Sequence, residues 1–152
     1  MGGSVDPAQG TGGFSSEERA ALQQRAAELK AEAERPRGGK AAAQELEVLA
    51  KIAEMPPADR AVAERFHAVV TTHAPDLAPK LWYGQPAYAR RGTVVCFFRS
   101  GDADKERYST VGFTTAAALD DESGLWPTSY AVTELSEAAV AELTELVRRA
   151  VG

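Results

Sequence analysis

One cysteine, two histidines and two tryptophans in 152 residues leave little material for the commonest site chemistries. A single cysteine cannot close an internal disulfide, and zinc sites built on cysteine pairs are excluded with it. That count fits a reducing cytoplasm, which is the expected location. No apolar run approaches the roughly 20 residues that a bilayer-spanning helix needs, so no membrane partner is expected. The first residues also lack the apolar centre of a signal peptide. Gly-x-Ser-x-Gly, Walker and dinucleotide glycine patterns are missing. With no catalytic signature, the expectation is a non-enzymatic protein.

Positive charge is also in short supply. Seventeen Lys and Arg face twenty-two Asp and Glu, for a net charge of −5 and an isoelectric point near 5.1. Such a chain repels a phosphate backbone, so nucleic acid is a disfavoured partner and DNA binding the weakest reading.

What is present is ordinary globular material, 44% hydrophobic and 26% charged, enough to bury a core without disulfides or a structural metal. Residues 1–13 are Gly-rich and almost without large apolar side chains, which predicts a disordered tail. Residues 14–39 predict a peripheral helix and a Gly-rich linker. Ser15 and Glu18 form a capping box, and Pro36 with Gly38 and Gly39 stops the helix. Its apolar stripe, Leu22, Ala26 and Leu29, is thin. Residues 40–152 predict an α+β domain, a monomer or weak dimer.

Within that domain, Ala42, Leu46, Leu49 and Ile52/Ala53 predict the buried stripe of a helix over 40–55. Pro57 opens the next helix, with Val62, Phe66, Val69 and Val70 inward, and Pro75 ends it. Residues 76–79 read as a connector. Short strands over 81–83 and 87–90 flank Gly84-Gln85-Pro86, where Pro86 implies an edge, bulge or bend. Arg91-Gly92 predicts a tight hairpin turn, and Val94 to Phe98 a central strand covered on both faces. A strand over 108–113, a helical turn over 114–119, a strand over 129–135 and a helix capped by Ser136 complete the chain. Helices segregated from a run of strands indicate an antiparallel sheet of about four to five strands backed by N-terminal helices and one C-terminal helix.

Three constellations could carry chemistry. Asp120, Asp121 and Glu122 supply oxygen ligands for a hard cation, or simply a solvated loop. Tyr83, Gln85, Tyr88, Arg99 and Trp126 group aromatic, amide and cationic side chains suited to a small-molecule or protein partner; the alternative is that most of these aromatics are core. Glu64-x-x-His67 has the spacing of a di-iron helix motif but no second copy, and reads as a solvated Glu–His pair. His73, six residues on, reads as a cation at a helix C-terminus. Cys96 lies in the most apolar run and reads as an inert buried thiol.

Trp82-Tyr83-Gly84-Gln85-Pro86-Ala87-Tyr88, then Gly92-x-Val94-Val95-Cys96-Phe97-Phe98, then Tyr108-Ser109-Thr110-Val111-Gly112-Phe113 together resemble the YdhG-like family (domain of unknown function 1801). Leu119-Asp120-Asp121 with Trp126-Pro127-Thr128 looks like its actinobacterial form. Gln85 stands where many members carry Met. The resemblance covers about residues 46–151. It implies a fold similar to frataxin and the YjbR group, and a possible role in binding or donating iron, held weakly by surface carboxylates. No iron ligand can be carried over residue by residue.

Overall fold

The structure, a computed structural model, describes residues 16–33 and 39–152. The expected tail over 1–13, the Ser15 capping box and the Pro36–Gly38 stop lie outside the described residues. Among the described residues, four α-helices and five strands follow in the order α1 (Ser16–Ala33), α2 (Gly39–Ala53), α3 (Pro57–His73), β1 (Ala78–Trp82), β2 (Gln85–Arg90), β3 (Thr93–Arg99), β4 (Ser109–Phe113), β5 (Ser129–Val132) and α4 (Glu137–Ala150). The strands form one antiparallel sheet in sequence order, β1-β2-β3-β4-β5. This is the α+β architecture expected from segregated helices and strands.

Both hairpins that begin the sheet turn on two residues with positive φ. Tyr83 and Gly84 (φ 52° and 76°) join Trp82 to its partner Gln85, and Arg91 and Gly92 (52° and 84°) join Arg90 to Thr93. Paired positive φ values match the right-handed twist of the flanking strands. The first turn moves the bend that Pro86 had suggested. Pro86 sits inside β2 opposite Leu81, and the register shift comes later, between Tyr88 and Ala89. β1 reaches back to Ala78, through the stretch read as a connector. β3 is the middle strand, with Val94, Val95, Cys96 and Phe98 buried. Residues 114–119 form a turn instead of a helix, closed by the Ala117 N–H on the Thr114 carbonyl.

The helices occupy one face of the sheet. Val48 and Ile52 of α2, Phe66 and Val70 of α3, and Leu143 and Val147 of α4 pack into one core with Tyr88, Cys96, Phe98 and Val111. Ser136 caps α4 by accepting the Ala139 N–H at 3.2 Å. α3 starts with Pro57 in its first turn and buries the four apolar residues expected of it. α2 is rotated relative to expectation: it buries Ala42, Glu45, Val48 and Ile52, while Leu46 and Leu49 are only half-buried and Ala53 is exposed. The same helical spacing allows both stripes. The one observed places a glutamate inside.

The opposite face of the sheet carries a smaller cluster, Ala87, Ala89 and Val94, flanked by Trp82 and Phe97. Trp82 stacks at a tilt on Tyr83 and on Phe97, with centroids 5.0 and 5.4 Å apart. Phe97 lies over Gly112, where a Cβ would stand 2.2 Å from the ring.

Candidate functional site

Glu45 is only 8% exposed and His67 only 3%. An ionisable side chain removed from water needs partners, and each has them. His67 Nε2 lies 3.4 Å from Glu45 Oε2. Its Nδ1 lies 2.9 Å from the hydroxyl of Tyr88, which is fully buried. Burial, with Cys96 and Glu45 adding in the same direction, pushes the Tyr88 phenol well above its ordinary range, so it keeps its proton. Nδ1 and the Tyr88 hydroxyl share one hydrogen bond, and Nε2 faces the Glu45 carboxylate, which when ionised can only accept. The result is a hydrogen-bonded chain of Tyr88, His67 and Glu45 that links β2, α3 and α2.

α1 closes over this chain. Arg25 brings a guanidinium nitrogen to 3.4 Å from the other Glu45 oxygen. One turn of α3 earlier, Glu64 (5% exposed) accepts two hydrogen bonds from Arg19, at 3.1 and 3.2 Å. Leu29, almost wholly buried, is the apolar anchor of this helix. The thin apolar stripe of α1 is thus supplemented by two arginines that neutralise two inward-facing carboxylates.

The two carboxylates differ in titration for a reason that can be read from their partners. Burial pushes Glu45 upward, but the hydrogen bond and attraction of His67, with Arg25 adding, outweigh it, and the group lies below its ordinary value. Glu64 is also pushed up by burial. Arg19 and Arg60 do not fully offset that, and it lies above its ordinary value.

A groove of about 600 Å³ opens beside the Glu45–His67 pair. Leu22 and Arg25 of α1 form one wall, Ala68 and Thr71 of α3 another, and Leu77 and Pro79 the entry to β1. Its lining is apolar except where Arg25, Glu45, His67 and two threonines meet it. An apolar cleft with a few convergent polar groups is the usual form of a small-molecule site.

Sequence reasoning paired His67 with Glu64 as a solvated couple. Both are buried, and each turns to a different partner. Glu45 was missed because a charged residue at helical spacing reads as solvent-facing. The available signal was His67 itself, which sequence reasoning assigned to Glu64 instead. His73 also departs from expectation: its Nδ1 lies 3.0 Å from the Arg148 guanidinium, which can only donate, so that nitrogen accepts instead of acting as a cationic cap. Cys96 is fully buried, as expected, and burial pushes its thiol up to about 12.

The aromatic set named from the sequence is not gathered in one place. Tyr83 is 89% exposed at the first hairpin tip. Tyr88 is in the core. Gln85 is half-buried, its side-chain oxygen enclosed without a hydrogen-bond partner. Arg99 is ion-paired with Asp104. Trp126 is half-buried near the far edge of the sheet, between two grooves. Asp120, Asp121 and Glu122 are exposed. Asp121 is held below its ordinary value chiefly by hydrogen bonds from the Ser123 hydroxyl and N–H. Among the described residues, no three His, Cys, Asp or Glu side chains are grouped so that they could hold a metal ion, so the acidic loop does not fit a closed iron site.

The chain matches no family model, no curated protein and no solved structure. Among the described residues, no helix is long and apolar enough to cross a membrane.

Proposed function

We propose that the chain is a binding protein for a small molecule with an apolar body and one anionic or hydrogen-accepting group, seated in the groove beside Glu45 and His67. The observation that carries this reading is the buried Tyr88–His67–Glu45 chain at the wall of an otherwise apolar cleft. Among the described residues Arg25 spends one donor on Glu45, and a guanidinium carries five. The YdhG-like resemblance stands beside this reading as a proposal of kinship, and the meander backed by helices is compatible with it. An iron-carrying role, which the resemblance implies, would have only Glu45 and His67 to draw on at this groove.

A thermal-shift screen of small organic acids tests the proposal, because a ligand of the native state raises the midpoint by mass action. Compounds that stabilise the parent chain should lose their effect on Ala68→Phe, which fills the groove, and weaken on Arg25→Gln. The reading fails if no compound raises the midpoint, or if the active ones act equally on A68F.

A further inference from the structure

A second groove, on the other side of the molecule's core, has a different chemistry. It lies between the loop that carries Trp126 and the outer side of α4, and holds about 600 Å³. Trp126 and Tyr130 give it an aromatic wall, and Leu146 an aliphatic one. Tyr130 is braced from behind by Phe113, edge to face at 6.0 Å. Leu125, at the rim, is 83% exposed. Three carboxylates, Asp121, Glu142 and Glu145, line the same groove against one cation, Arg149. Asp120 and Glu122 extend the negative side along the loop, both exposed.

We propose that this groove is a docking site for a basic, leucine-bearing segment of a partner protein. Aromatic faces next to carboxylates suit an ammonium or guanidinium group, which the ring quadrupole and the negative charges attract together. The exposed Leu125 adds an apolar contact beyond the reach of a simple cation. Two grooves flanking one ridge favour a peptide over a small organic cation. The Leu125–Trp126 ridge has a groove on each side, the second of about 470 Å³ behind Trp126. A small ligand occupies one groove, whereas an extended chain can drape over the ridge and reach both. Arg148, one residue before Arg149, is engaged by His73 and does not line the groove.

The test uses the full chain carrying Trp82→Phe, so that fluorescence reports on Trp126 alone. Three probes are titrated: the end-capped peptide Gly-Leu-Arg-Lys-Leu-Arg-Gly, its counterpart with Glu at every basic position, and n-butylammonium. The basic peptide should saturate and shift the backbone amides of residues 121–130 and 142–149. Glu142→Gln with Glu145→Gln should weaken it about tenfold, and Leu125→Ser should weaken it with its salt dependence unchanged. These are surface positions, and circular dichroism confirms that the variants fold. The proposal is overturned if the basic peptide does not saturate or if the acidic peptide binds as well. It is equally overturned if butylammonium moves the same amides with equal affinity, or if the shifts spread over every acidic surface.

Discussion

The imidazole of His67 and the hydroxyl of Tyr88 meet at 2.9 Å in the interior, one from the third helix and the other from the second strand. Their rings stand 5.6 Å apart, and Phe66 closes on the same tyrosine edge to face at 5.5 Å. Helix and sheet are therefore joined here by one hydrogen bond inside an aromatic contact. With Nδ1 engaged by the tyrosine, the opposite ring nitrogen is held toward Glu45. A groove residue is thus oriented from the sheet, through the core.

Removing that hydroxyl tests the link. Tyr88→Phe keeps the ring and its packing but leaves Nδ1 buried without a partner. The expected loss is about 1–3 kcal/mol in urea unfolding, the usual cost of orphaning a buried polar group. Groove ligands found by thermal shift should also weaken, since Nε2 is no longer held toward Glu45. A loss below about 0.5 kcal/mol would mean that the bond does not support the fold.

The paired carboxylates predict opposite responses to pH. Glu45 titrates lower in the folded chain than its ordinary 4.5. Its contribution is present above pH 4.5 and is lost as pH falls through the folded value. Glu64 titrates higher than its ordinary 4.5 in the folded chain. Its contribution is present below pH 4.5 and is lost as pH rises through the folded value. The stability of Glu45→Gln relative to the parent should therefore improve on acidification below 4.5. That of Glu64→Gln should improve as pH rises above 4.5, in proportion to the parent's loss. Urea midpoints across this range check both signs; parallel profiles for the two variants would refute the assignment.

The sheet was largely legible from sequence, and the site was not. Arg91-Gly92 and the Val94–Phe98 run carry local signals, namely a residue pair tolerant of positive φ and a block of strand-forming apolar side chains, so turn and strand could be read in place. Tyr83-Gly84 has the same kind of signal, but Pro86 drew the bend two residues too far. Glu45 illustrates the limit. Its burial depends on His67, twenty-two positions on, and on Arg25, in another helix, and helical periodicity alone assigns any glutamate to solvent. Leu46 and Leu49 then took the inward positions by default. Tyr88 and His67 fall within residues 46–151, which the resemblance covers, whereas Glu45 and Arg25 come from before it.

Cys96 should be chemically silent in the native chain. It is fully buried opposite Tyr88 in the ladder, and its thiol lies at about 12. Thiolate is the reacting species, so both access and ionisation are denied. A maleimide or disulfide reagent at neutral pH should label it only through opening of the core, with a rate that tracks urea concentration as global unfolding does. Fast stoichiometric labelling in the absence of denaturant would contradict the burial.

The outer face of the sheet makes the last prediction, because there a missing side chain is what permits the packing. Gly112 lies opposite Phe97 in the β3–β4 ladder, and the Phe97 ring occupies the space a Cβ would need, its tip 2.2 Å from that position. Gly112→Ala must push the ring away, and the ring is held on its other side by Trp82 at 5.4 Å. The displaced ring is the far end of a side chain and not backbone, so the strand pairing should survive. The cost should be about 1–3 kcal/mol, in the range of overpacking. Phe97→Ala removes the obstacle at its own expense. In that background Gly112→Ala should cost close to nothing, or gain slightly from reduced backbone freedom in the unfolded chain. The double-mutant cycle in urea therefore isolates a coupling of at least about 1 kcal/mol between the two positions. Additive effects would show that Gly112 is required by its backbone and not by the aromatic ring lying on it.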